Sequence, residues 1–227
     1  MSQITKNHWI ELIIRSFLFA TSICIQFIDK ITETDVFKSV AYAAIWVFFF
    51  VKMILRLIPK KIESMGNQKV FIKNFIPTNK NPIKDNKSAL IIAGIWIAFN
   101  AIFWVLCWAG VLSKNLMFIL SMFFAVCDLI CVLVVCPFQK WIMKNKCCNT
   151  CRIYNWDFAM MFTPLIAVPS FYNYSLVLMS WVVLIHWELS HKLFPERFYE
   201  TSNANLKCKN CKEFMCKNKL RVIRKEE

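Results

Sequence analysis

Glycine is nearly absent, with three residues in a chain of 227. That is too few for a β-barrel or a nucleotide-binding loop protein, both of which need glycine where the backbone turns tightly or approaches a phosphate. No Walker A run, GxGxxG, GxSxG or HExxH occurs. Nucleotide hydrolysis, dinucleotide binding on a Rossmann unit, and serine or zincin hydrolysis therefore lack their usual machinery. Charge is also sparse, at 19% of residues against about 25% in an average soluble domain. Acids are the scarcer sign: 14 Asp and Glu stand against 28 Lys and Arg, with three His.

What fills the chain is apolar. Hydrophobic residues make up 58%, including 21 Phe and 9 Trp. This excludes a disordered or collagen-like chain and argues against a soluble globule. The expected fold class is all-α, a polytopic integral membrane bundle of about six helices. A helix needs about 20 apolar residues to cross the hydrocarbon core. The candidate spans are Trp9–Ile28, Val36–Ile58, Ser88–Val111, Leu116–Phe138, Trp156–Tyr172 and Tyr174–Phe194. The fifth is short and carries Pro164 and Pro169, so it reads either as a kinked span or as a re-entrant segment inside the bundle. No internal repeat is convincing. The first run contains Glu11 and Arg15 and has no small-residue cleavage site after it, so it is expected to be retained as a helix.

The +14 net charge has a distribution that explains it. Basic residues cluster in the gaps between apolar runs, as the positive-inside rule requires of cytoplasmic loops. With the N-terminus inside, the outer segments hold only Lys30, Lys38 and Lys114. The inner side receives the rest, including ten in the tail from Lys192 onward, apart from Arg15 within the first span. The expected topology is N-in and C-in, with the lipid bilayer as the main partner. Nucleic acid is not expected, because the charge forms no single stripe on a soluble face. Oligomeric state is not legible. The division follows: residues 1–194 form the bundle, and 195–227 form a basic, cysteine-rich tail packing on the 139–155 loop. The long basic loop Pro59–Lys87 reads as a solvated linker or, over Val70–Ile76, as a membrane-surface piece.

Eleven cysteines are many for this length. Cys24, Cys107, Cys127 and Cys131 lie within apolar spans, where a thiol packs as a small hydrophobe. The other seven gather on the inner side: Cys136 before Pro137, then Cys147, Cys148 and Cys151, then Cys208, Cys211 and Cys216. Cytosolic thiols are kept reduced, so a disulfide framework is not expected. Cys148 and Cys151 form one CxxC pair, and Cys208 and Cys211 form a second, separated from the first by 56 residues. A helical hairpin between them returns the chain to the same face, so the four sulfurs are candidates for one metal ion. Four-cysteine zinc is closed and structural. Seven thiols exceed that need, and an iron–sulfur cluster such as 4Fe–4S, also held by four cysteines, is favoured slightly. Nearby Lys and Arg favour the thiolate form.

Three polar residues in the spans are further candidates. Asp128 lies about 15 Å deep in the fourth helix, counted at 1.5 Å per residue. It is expected either to act in proton transfer or to sit neutral against a neighbouring helix, with Asn100 as a suggested partner. Glu188 and His191 are spaced to share one helix face. Glu11 and Arg15 are spaced i,i+4 in the favourable order for an ion pair. The leading reading is a membrane electron-transfer protein with a cytoplasmic redox partner and a cysteine-ligated iron–sulfur centre. The alternative is a transporter or scaffold stapled by structural zinc. A third is a thiol oxidoreductase using Cys147 or Cys148 with Cys151.

Overall fold

The computed structural model describes residues 3–28, 35–59, 68–78, 80–82, 87–144 and 148–210. It is helical throughout, with no named strand among the described residues. Among the described residues there are six α-helices: α1 Gln3–Ile28, α2 Asp35–Leu57, α3 Lys87–Trp108, α4 Lys114–Leu133, α5 Asp157–Phe162 and α6 Phe171–Leu193. Four of them, α1 to α4, are long and apolar enough to cross a membrane. Their outer faces carry large exposed apolar side chains, such as Phe17 at 69% and Leu90 at 70% exposure. A contiguous apolar surface of this kind suits lipid contact better than water.

The long helices alternate in direction. Arg15 of α1 donates to Ala125 O on α4 at 3.0 Å, while Gln26 at the other end donates to Asn115 O at 3.2 Å, so α1 and α4 are antiparallel. Lys52 near the end of α2 reaches Glu11 near the start of α1 at 3.1 Å. Ala89 and Ile92 at the start of α3 pack with Ile153, and Glu188 near the end of α6 pairs with Arg152. The starts of α1 and α3 and the ends of α2, α4 and α6 therefore meet at one end of the bundle.

Local sequence explains the turns at the opposite end. Gly110 follows α3 at φ +76°, the left-handed conformation that glycine tolerates, and closes the helix with a hydrogen bond from its N–H to Cys107 O. Ser113 then caps α4 by accepting from Leu116 N–H, and Ser170 caps α6 by accepting from Asn173 N–H.

The fifth apolar run is not a continuous helix. The six residues of α5 pass into a 3₁₀ turn over Thr163–Ala167. Such a segment rises only about 19 Å, short of the ~30 Å hydrocarbon thickness. It is nevertheless the centre of the core. Phe158, Met161, Phe162 and Leu165 are all buried, and Phe162 meets Phe49 of α2 edge-on at 5.3 Å. Pro164 lacks the N–H that would continue the helix. Neighbours hydrogen-bond the carbonyls around the break. Ser121 donates to Met161 O, Thr163 Oγ1 to Ala159 O, Trp104 Nε1 to Thr163 O and Asn173 Nδ2 to Val168 O. Irregular backbone is stable inside a bundle only when its polar groups are satisfied in this way.

One expected helix end and the reading of Val70–Ile76 both change. The fourth helix ends at Leu133, five residues before the expected Phe138, because Pro137 disfavours helical geometry at Cys136. A π-turn over Phe138–Ile142 follows. The stretch around Val70–Ile76 is fixed to the protein, with Val70 in the core and Phe71 against Trp187 at 5.2 Å. The first part of the tail holds it there. Asn203, fully buried, donates to Lys69 O and Arg197 O and accepts from Ile76 N–H and Asn205 N–H. Backbone bonds run from Ala204 N to Ile76 O and from Thr78 N to Ser202 O.

Candidate functional site

At the end where α4 finishes, a cavity of about 250 Å³ opens between α3, α4, the 136–154 connection and α5. Five cysteines line it: Cys127 and Cys131 from α4, Cys136 just past it, and Cys148 and Cys151 from the following loop. Aromatic rings of Trp96, Phe123, Phe124, Phe138 and Tyr154 supply much of the remaining wall, with Asp128 and Asp157 as the charged residues among those described.

The π-turn sets the thiols. Gln139, nearly fully buried, donates its backbone N–H to Cys136 Sγ at 3.4 Å and accepts from Cys148 Sγ at its side-chain oxygen at 3.1 Å. One residue thus links two thiols that lie 12 positions apart in the chain. A 3₁₀ turn over Cys148–Thr150 then brings Cys151 to the same hollow, its N–H bonded to Cys148 O at 3.0 Å. Among the described residues, no three His, Cys, Asp or Glu side chains stand close enough to hold a metal ion. Cys147, Cys211 and Cys216, and the side chain of Cys208, lie outside the described set. The cavity therefore unites Cys136, Cys148 and Cys151 of the seven thiols expected to ligate.

Behind the cavity lies a layer of buried charge. Arg15 donates to Glu11 and to Asp128, each at 2.9 Å, and Lys52 adds a second cation to Glu11. Arg56 meets Asp157 at 2.5 Å. Three carboxylates and three cations make the layer neutral overall. Asp128 and Asp157 belong to this layer and also border the cavity. The partner of Asp128 is Arg15 rather than the suggested Asn100, whose amide donates to Trp96 O on its own helix. A charged partner outweighs an amide for a carboxylate at this depth.

Glu188 and His191 form part of a second, smaller hollow. Arg152 grips Glu188 with both ends of its guanidinium, and Trp156 Nε1 adds a bond at 2.6 Å. His191 Nε2 lies 3.0 Å from Tyr199 Oη. Cys151 borders both hollows, and Phe198 and Tyr199 bring the start of the tail to the second. Glu188 and His191 share one helix face, as their spacing implies, and line one hollow, with Arg152 and Trp156 on Glu188 and Tyr199 on His191.

Cys127 and Cys131 were expected to be packing residues. Their signal lay in the register of α4: Phe123, Cys127 and Cys131 recur at i,i+4, alongside Phe124 and Asp128, and all five border the cavity. Arg56 and Asp157 were not expected to pair, since they are 101 positions apart.

Compared with protein-family models, with curated proteins and with solved structures, the chain matches none.

Proposed function

We propose that this chain is a multi-pass membrane redox protein whose centre is a cysteine-ligated metal site at the thiol-rich end of the bundle, an iron–sulfur cluster in preference to zinc. The observation that carries the reading is the approach of Cys136, Cys148 and Cys151 to a single hollow, backed by Cys127 and Cys131. Cys147 is adjacent to this wall in sequence. Cys208, Cys211 and Cys216 follow the part of the tail that Asn203 ties down. With those thiols added, the ligands exceed what one zinc takes and suit a cluster held by cysteines. Among the described residues no three candidate ligands stand close enough to hold a metal, so in this reading ligation draws the loop and tail thiols together.

In this reading, α1 to α4 cross the bilayer, and the broken segment, buried inside the bundle, leads the chain back into α6, which returns to the thiol end. The basic loops, both termini and the thiols then face the cytoplasm. A cytoplasmic electron partner meets the thiol end. Asp128 is the proton-coupled candidate, because it borders both the charge layer and the cavity. Glu188 and His191 act as positioning residues.

A second reading is a structural zinc held by Cys148, Cys151, Cys208 and Cys211 in a transporter or scaffold. It is favoured by the way the tail already binds 68–78 and shares a hollow with Cys151. The visible spectrum of protein purified anaerobically in detergent separates the two. Brown protein whose absorption bleaches with dithionite supports the cluster. Colourless protein with about one zinc per chain supports the staple. Metal-free protein in which the loop and tail thiols all alkylate rapidly overturns both.

A further inference from the structure

We propose that the thiol end of the bundle carries a clamp for the headgroups of anionic phospholipids, formed by Lys73, Lys192 and Arg197 beside Ile72, Leu193 and Phe194. The proposal rests on the membrane reading above and is independent of any metal.

Three observations carry it. The first is that the two halves of the clamp are held side by side. Asn203 Nδ2 donates both to Lys69 O, four residues before Lys73, and to Arg197 O just past α6, at 3.1 and 2.8 Å. Phe71 packs on Trp187 of α6 at 5.2 Å, and Phe198 packs on the same ring at 6.2 Å. Trp187 stands six residues before Leu193, where α6 ends, or about 9 Å along the axis. The segment 68–78 therefore runs along the flank of the last turns of α6.

The second is the pairing of apolar and cationic side chains on that surface. Ile72 is 67% exposed and Leu193 is 66% exposed, and each is next in sequence to an exposed lysine, Lys73 and Lys192. Arg197 lays its guanidinium over the exposed ring of Phe194 at 3.9 Å, so its charge is presented from an apolar platform.

The third is charge. Among the described residues, Lys73, Lys192 and Arg197 make no ion pair. Glu196 and Glu200 flank Arg197 in sequence and pair with none of the three. The acids that do pair are Glu11, Asp128, Asp157 and Glu188, and their partners are Arg15, Lys52, Arg56 and Arg152. The clamp thus keeps a surplus of positive charge beside exposed apolar side chains. A zwitterionic lipid would cover the apolar side chains but brings no net charge to match the surplus. An anionic phospholipid meets both, with its acyl chains against Ile72 and Leu193 and its phosphate at the cations.

The test uses the purified full-length protein in phosphatidylcholine vesicles carrying a trace of phosphatidylglycerol that is photoactivatable next to its headgroup. Label is expected on the 68–78 and 188–200 peptides, displaced by unlabelled phosphatidylglycerol and not by soluble polyglutamate. Replacing Lys73, Lys192 and Arg197 together by Gln should lower that label by about tenfold or more. Replacing Lys140, Lys144 and Lys209 by Gln removes the same charge from other exposed positions. It should change the label by less than about twofold, because charges beyond a Debye length are screened. If the first triple variant fails to fold, the label map of the wild type decides alone. Equal loss in both variants, label spread evenly over the basic peptides, or displacement by polyglutamate, which would mark an acidic protein partner, overturns the proposal. Extraction of the protein from the vesicles by alkaline carbonate would sink the membrane reading together with it. Protein that stays in the bilayer without this label pattern sinks the clamp alone.

Discussion

The charge layer and the thiol cavity share Asp128 and Asp157 but treat their polar groups in opposite ways. In the layer, Arg15, Arg56 and Lys52 are matched against Glu11, Asp128 and Asp157 at hydrogen-bond or ion-pair distance. In the cavity, five thiols line the wall, and Gln139 links Cys136 and Cys148 directly. A closed set of charges deep in a bundle holds helices together and has little capacity left for a ligand. A set of soft donors around a hollow offers a ligand both room and lone pairs. The comparison teaches that burial alone does not separate the two regions: in one, charges are paired across helices, and in the other, thiols border a hollow.

The sharpest way to break this contrast is to open the layer. Arg15→Met leaves Glu11 with only Lys52 and Asp128 without its guanidinium. A loss of about 3–5 kcal/mol is expected for removing one partner of a buried pair, read as a lowered melting temperature in detergent. If Arg15→Met melts like the wild type, the layer is not structural.

Next in size is Asn203→Ala. It orphans the carbonyls of Lys69 and Arg197 together with two N–H groups, at about 1–3 kcal/mol for each group left buried. The effect should be local. Limited proteolysis within 195–210 is expected to speed up while the bundle core stays protected. Uniform destabilisation would mean that the tail is integral to the core.

Ser121→Ala removes the donor to Met161 O at the helix break. A cost of about 1–3 kcal/mol is expected in thermal unfolding, with α4 otherwise unchanged. Smallest on stability is Cys148→Ser, which keeps a donor towards Gln139 and should change unfolding by about 1 kcal/mol or less. Its effect is expected on metal content instead.

Much of the layer's local half was legible. Glu11 and Arg15 are four residues apart on one helix, and helical geometry brings them together whatever the rest of the fold. Asp128 was recognisable as a buried acid, but its partner lies 113 residues away, and only the antiparallel pairing of α1 with α4 supplies it. The doubt over Trp156–Tyr172 was well placed, since Pro164 breaks the run. What the sequence did not show was that Ser121, Trp104 and Asn173, from three other helices, satisfy the break. Cys136, Cys148 and Cys151 stood out by spacing and proximity to Pro137. Cys127 and Cys131 did not, because an apolar span hides a thiol among hydrophobes of similar size.

The most direct test of the account is iron and acid-labile sulfide per chain in Cys148→Ser beside the wild type, both purified anaerobically and checked for the same melting temperature. The account predicts iron and sulfide together in the wild type and their loss in a Cys148→Ser variant that is still folded. Wild-type iron and sulfide retained in Cys148→Ser, or none in either protein, would contradict it.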